Sequence, residues 1–91
     1  MTGVSIEKAI SKFKAANGDF VAGNTYSIIY LNLDGTEEKW DINTMLMIGR
    51  SDMNVEQLLI GEWYQRIAAY EYIYDFEYPN PDSVLSINLA A

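Results

Sequence analysis

The feature that most constrains the fold is a stretch of alternating apolar and polar residues, 25–43, interrupted by Asp34-Gly35. Alternation with period two is typical of a strand with one buried face, and Asp-Gly favours a two-residue turn between paired strands. We therefore expect a β-hairpin in which Ile29 lies opposite Trp40. In this register, one face carries the apolar side chains: Ile29, Leu31, Leu33, Trp40 and Ile42.

Helices are predicted on both sides of this hairpin. Apolar residues recur at helical spacing over 5–17, where Ser5 is the N-cap and Gly18 ends the helix. The second helix begins at Asn54, which forms a capping box with Gln57. The predicted buried face of the second helix consists of Val55, Leu59, Trp63, Ile67 and Tyr70.

Three further segments are assigned by their patterns. The apolar run 44–48 is interpreted as a third strand, although its length also fits a helical turn. Residues 70–78 alternate as in a strand, but Tyr70 continues the helical spacing. We expect helix to about Tyr74 and then extended chain to Tyr78. Apolar residues alternate again over 85–89, which predicts a final strand.

These elements predict one α+β domain over residues 1–91: a helix, an antiparallel β-hairpin or meander, a second helix and a short C-terminal strand. The helices are expected to cover the sheet over Ile29, Leu31, Trp40 and Ile42. The N-terminal sequence lacks the basic and apolar regions of a signal peptide, and no apolar run is long enough to span a bilayer. We therefore expect a cytoplasmic protein that does not bind membranes.

The composition limits the chemistry available to the chain. It has no Cys and no His, so thiolate nucleophiles, imidazole bases and zinc-thiolate sites are excluded. A calcium loop in the hairpin would have Tyr30 where a carboxylate is needed. A carboxylate pair drawn from Glu62, Glu71 or Asp75 would need a deep pocket, which a small domain seldom builds. We expect no catalytic residue, no metal and no cofactor.

The net charge of -7 is unevenly distributed. Residues 1–18 carry +2, residues 19–91 carry -9, and no Lys or Arg follows Arg66. The segment 63–78 holds seven of the twelve aromatic residues, interleaved with carboxylates. Aromatic rings supply binding area at low entropic cost, and carboxylates select a basic partner. An excess of acids also argues against direct binding to nucleic acid.

We therefore expect a non-catalytic protein-binding module, an inhibitor that docks an acidic, tyrosine-rich surface on a basic partner protein. Spaced carboxylates imitate phosphates, so a nucleic-acid-binding protein is one such partner. By size and composition alone, the chain resembles small acidic inhibitors that phages encode against host defence. The predicted contact residues are Tyr70, Glu71, Tyr72, Tyr74, Asp75, Glu77 and Tyr78.

Three other interpretations stay open at this point. The rings of 63–78 could form core while the acids are a solvated face that keeps the chain soluble. The protein could be a small oligomer-forming component of a larger complex, with Lys8, Lys12 and Lys14 meeting the acids of another copy. It could also bind a small ligand or act as a carboxylate-dependent enzyme.

Overall fold

The structure, a computed structural model, describes residues 2–50, 54–74 and 80–90, with the backbone alone at 70–74. Its helices and strands are α1 (Ile6–Asn17), β1 (Thr25–Leu31), β2 (Glu37–Asn43), α2 (Val55–Tyr74) and β3 (Val84–Leu89). The strands form an antiparallel sheet in the order β2-β1-β3. Both helices pack on the same face of this sheet. The predicted α+β class and the order of its elements are confirmed.

The hairpin loop contains three residues rather than the predicted two. Its turn is closed by the Gly35 N–H, which donates to the Asn32 carbonyl at 3.0 Å. Gly35 has a φ of 89°, a conformation that glycine adopts without a Cβ clash and that typically ends three-residue hairpin loops. Trp40 therefore pairs with Ile28, not with Ile29. The predicted register is wrong by one residue.

A shift of one residue moves every side chain of β1 to the other face. The helix-covered face of β1 carries three fully buried side chains: Tyr26, Ile28 and Tyr30. Ile29 and Leu31 lie on the open face, and Leu33 is in the turn with 77% exposure. The prediction that Ile29 and Leu31 face the helices, and that Leu33 shares their buried face, is wrong. The same prediction is confirmed for Ile42, which is buried, and for Trp40, which packs against the core.

The predicted helix ends are confirmed by their hydrogen bonds. The Ser5 side chain accepts the Lys8 N–H at 3.2 Å, and Gly18 follows the last residue of α1. At the start of α2, the Asn54 side chain accepts the Gln57 N–H at 2.8 Å, while the Gln57 side chain accepts the Asn54 N–H at 3.3 Å. The predicted α2 face is buried at four positions: Val55, Leu59, Trp63 and Ile67.

The run 44–48 forms a short 3₁₀ turn, Met45–Met47, instead of the predicted third strand. The Asn43 side chain accepts the Met45 N–H at 2.8 Å, which turns the chain out of β2. Thr44 is fully buried, and its hydroxyl bonds to the loop before β1 at 2.6 and 2.9 Å. The third strand of the sheet is β3, on the other side of β1.

Gly61 lies inside α2, and no described atom outside its own helix backbone and neighbours is within 4 Å of the place a Cβ would take. Glycine in a helix interior costs about 1 kcal/mol relative to alanine. We expect Gly61→Ala to raise the free energy of unfolding by about 0.5–1 kcal/mol, measured by urea denaturation. Gly35→Ala, at positive φ, is the control and should lower that free energy by about 1 kcal/mol. A destabilised Gly61→Ala variant would contradict the open environment.

Candidate functional site

The predicted contact residues begin on α2, which runs as an unbroken helix to Tyr74. This confirms the predicted helix as far as Tyr74 and excludes a strand over 70–74. Because successive helix positions are turned by about 100°, positions 70 and 72 do not share one face. Of the predicted contacts, Tyr70, Glu71, Tyr72 and Tyr74 have only their backbone described; Asp75, Glu77 and Tyr78, with the extended chain to Tyr78, lie outside the described residues. Their role in binding stays a prediction.

The two aromatic residues that open the segment 63–78 have opposite environments. Trp63 is fully buried, and its ring packs edge-on against Tyr30 with 5.2 Å between the centroids. The Trp63 indole N–H also donates to the Pro81 carbonyl at 3.4 Å. Tyr64 is 44% exposed. Trp63 is therefore a core residue, whereas Tyr64 is accessible to a partner.

Tyr64 lies beside carboxylates from two distant parts of the chain. Its hydroxyl donates to the Glu7 carboxylate at 3.1 and 3.2 Å, and the charge of Asp82 also acts on the phenol. Partial burial raises the pKa of Tyr64 above its ordinary value, and the bond to Glu7 and the charges of Glu7 and Asp82 raise it further. The phenol therefore remains a neutral hydrogen-bond donor at physiological pH.

The packing of the two helices brings these groups together. Glu7 lies in the first turn of α1, where the helix dipole stabilises a carboxylate. The helices run antiparallel, since Lys14 contacts Glu56 at 2.5 Å near one end and Tyr64 meets Glu7 near the other. Asp82 lies in the loop before β3. Sequence reasoning missed this cluster because 57 positions separate Glu7 from Tyr64; the available signal was a tyrosine outside the apolar face of α2.

More carboxylates lie at the same end of the sheet, where the hairpin turns, and we call this end the acidic end. α1 starts there, as do β2 and β3. The described carboxylates at the acidic end are Glu7, Asp34, Glu37, Glu38 and Asp82. The acidity of the protein is therefore not confined to the C-terminal segment that the sequence singled out.

Arg66 offsets one of these charges. Its guanidinium lies 3.3 Å from the Glu38 carboxylate, donates to the Tyr30 hydroxyl at 2.9 Å, and stacks over the Trp40 ring at 4.4 Å. This planar cation is held between two rings and a carboxylate, an arrangement that suits arginine better than lysine. Arg66 thereby fastens α2 to β1 and β2.

α2 continues for two turns past the point where Arg66 contacts the sheet, about 12 Å of helix. The carbonyl end of a helix carries partial negative charge, and the last turn of α2 contains Glu71 and no basic residue. Position 71 follows position 64 by about two turns, so both lie along the same side of α2. The predicted site at Glu71 and the cluster at Tyr64 therefore share one side of the helix.

Asp34, a carboxylate of the hairpin loop, is engaged within the hairpin. It accepts the Thr36 N–H at 3.0 Å and the Thr36 hydroxyl at 2.6 Å, and these bonds lower the pKa of Asp34. Within the described ranges, no group of three Asp or Glu residues is placed to hold a metal ion. No helix in those ranges is both long and apolar enough to cross a bilayer.

Comparisons with protein-family models, with curated protein sequences and with solved structures give no match.

The environment of Tyr64 predicts a measurable pH dependence. In Glu7→Gln, a neutral amide replaces the carboxylate that opposes phenolate formation, so the pKa of Tyr64 should fall towards its ordinary value. NMR of tyrosine-labelled protein would follow the titration, with Tyr64→Phe identifying the resonance. Glu37→Gln is the control and should leave the pKa of Tyr64 unchanged. An unchanged pKa in Glu7→Gln would contradict the contact.

The raised pKa of Tyr64 also determines how the stability of the folded protein changes with pH. The folded-state pKa of Tyr64 lies above its unfolded value, so the folded protein retains the proton to higher pH. The contribution to stability is complete below the unfolded pKa of about 10 and is lost as pH rises from there through the folded pKa. Tyr64→Phe should remove this loss.

Proposed function

We propose that this protein is a non-catalytic protein-binding module, an inhibitor that docks an acidic, tyrosine-rich surface on a basic partner protein. This surface joins the acidic end to the side of α2 that carries positions 64 and 71. The observation that carries the proposal is the exposed Tyr64 beside Glu7 and Asp82, on the same side of α2 as Glu71. The tyrosine supplies contact area and a hydrogen-bond donor. The carboxylates supply the charge that selects the partner.

The position of the charges explains why a cationic partner is favoured. Glu71 lies at the negative end of the helix dipole, and no Lys or Arg follows Arg66 in the chain. Carboxylates concentrated in this way repel one another in the free protein, and a partner rich in Lys and Arg relieves that repulsion. A groove that binds the phosphate backbone of a nucleic acid is positively charged, and its Lys and Arg side chains recur at regular spacing. Occupying such a groove would inhibit nucleic-acid binding.

Charge reversal tests this proposal. Immobilised protein would capture partners from a lysate of its source, and each captured protein would then be purified. We expect the captured partner to be basic, and its nucleic-acid binding to be displaced by this chain. Glu71→Lys, and the triple reversal at Glu71, Asp75 and Glu77, should slow association about tenfold or more at low salt, measured by stopped flow.

Asp19→Lys is the matched control. It makes the same change of charge at a carboxylate that is 91% exposed, in the loop after α1. We expect it to change the association rate much less than Glu71→Lys, because exposed charges are screened beyond about 8 Å at physiological salt. Equal effects of the two reversals, or a rate independent of salt, would contradict docking through this surface.

One observation favours a second candidate function, a component of a larger assembly. Four exposed apolar residues lie on two adjoining loops, far from the acidic end: Val21, Met45, Leu46 and Ile48. The buried Thr44 holds these loops together, and Ile48 packs against Gly23. A contiguous exposed apolar patch is a common mark of a contact surface.

Light scattering tests the assembly function. A self-assembling component should be a stable multimer at micromolar concentration, and Leu46→Ser should dissociate it by placing a polar group in the contact. Leu33→Ser is the control, because Leu33 is 77% exposed in the hairpin turn. A monomer at all concentrations up to about 100 μM, a range well above the Kd of stable complexes, would exclude self-assembly.

A further inference from the structure

The two edges of the sheet differ in their protection against pairing with another chain. β2, at one edge, carries the charged residues Glu37, Glu38, Lys39 and Asp41. β3, at the other edge, contains no charged residue and no proline, and Leu89 is 57% exposed. Natural edge strands avoid unwanted pairing by means of charges and prolines. β2 is protected in this way, whereas β3 has neither a charged residue nor a proline.

The outer edge of β3 already accepts another segment of backbone at one point. The Val4 N–H donates to the Val84 carbonyl at 2.7 Å, and the Val84 N–H donates to the Val4 carbonyl at 3.1 Å. Further along β3, the hydrogen bonds to β1 alternate, which turns the N–H and C=O groups of Ile87 and Leu89 to the outer edge. Among the described residues, no backbone bonds to these groups.

A groove of about 180 Å³ lies between α1 and β3. Its apolar lining comes from both elements: Ala9, Phe13, Ala16, Leu85 and Ile87. Lys12 also lines the groove, and Lys8 precedes it by one turn on α1. Both lysines are exposed, and no described acidic residue lines the groove. An apolar groove beside the two lysines is suited to a strand that carries both apolar and acidic side chains.

We propose that the β3 edge and this groove bind an extended acidic peptide of a partner protein, which adds to the sheet as a fourth strand. The backbone groups of Ile87 and Leu89 bond to the peptide main chain. One face of the peptide meets α1, because alternate side chains of a strand share a face: its apolar side chains enter the groove and its carboxylates meet Lys8 and Lys12. This surface is separate from the acidic end and does not rest on the function proposed above.

Charge selects a foreign strand over a second copy of this chain. Antiparallel pairing of two β3 strands would place the α1 helices of both copies on the same face, next to the symmetry axis. Lys8 and Lys12 of one copy would then approach the same lysines of the other copy. Like charges brought together in this way oppose association, whereas an acidic strand relieves the repulsion.

Peptide titration followed by NMR tests the site. The probe is a blocked octapeptide in which threonine alternates with valine or aspartate, so that valine and aspartate share one face of the strand. Its comparison peptide has lysine in place of aspartate. We expect the acidic peptide to shift the amide resonances of 85–89 and to slow hydrogen exchange at Ile87 and Leu89. The basic peptide should bind about tenfold or more weakly.

Variants separate charge recognition from strand addition. Lys8→Glu with Lys12→Glu should weaken the acidic peptide about tenfold or more, while Lys39→Glu on β2 makes one such change at the other edge and should not. Leu89→Pro removes an outward N–H without breaking the ladder to β1, and should also weaken binding.

Three results would overturn the proposal. They are no shift of the amide resonances at millimolar peptide, equal binding of the two peptides, or shifts confined to residues outside α1 and β3. If the amides of 85–89 instead shift with protein concentration alone, the edge pairs with a second copy and the foreign strand is wrong.

Discussion

The position of α2 depends on one side chain of the central strand, Tyr30. It is fully buried, its ring packs against Trp63, and its hydroxyl accepts a bond from Arg66 and donates to Glu38. The same residue thus contacts the apolar face of α2, the cation of α2 and the carboxylate of the neighbouring strand. Hydrogen bonds to charged groups are strong in a partly buried site but require one geometry. This contact therefore fixes α2 over β1 and β2.

That arrangement also determines which carboxylates are compensated within the protein. Glu38 faces the guanidinium of Arg66 within the protein. Glu7 instead receives a hydrogen bond from the neutral phenol of Tyr64, and Asp82 adds a second charge nearby. A neutral donor compensates a carboxylate much less than a cation does. The negative charge beside Tyr64 is therefore compensated less than the charge of Glu38, which is paired with Arg66.

The sequence predicted those features that depend on residues close together in the chain. The N-cap at Ser5 joins positions three apart, and its hydrogen bond was readable from the pattern. The hairpin register was not, because Gly35 suits both a two-residue and a three-residue loop. The observed register brings Tyr30 into contact with Arg66, which is 36 positions away and could not be placed from the hairpin pattern alone. Likewise, an acidic, aromatic region was predicted, but the carboxylates that reach Tyr64 from other elements were not.

α1 contributes to both proposed binding surfaces, with opposite charges. Glu7 belongs to the acidic end and Lys12 to the β3 groove, and about 7.5 Å of helix separates them. That distance is within the screening length of about 8 Å at physiological salt, so each surface feels the charge of the other. A basic partner at Glu7 would weaken the negative field that opposes an acidic peptide at Lys12. Because such coupling is reciprocal, the charge pattern favours joint occupancy of the two surfaces over occupancy of either alone.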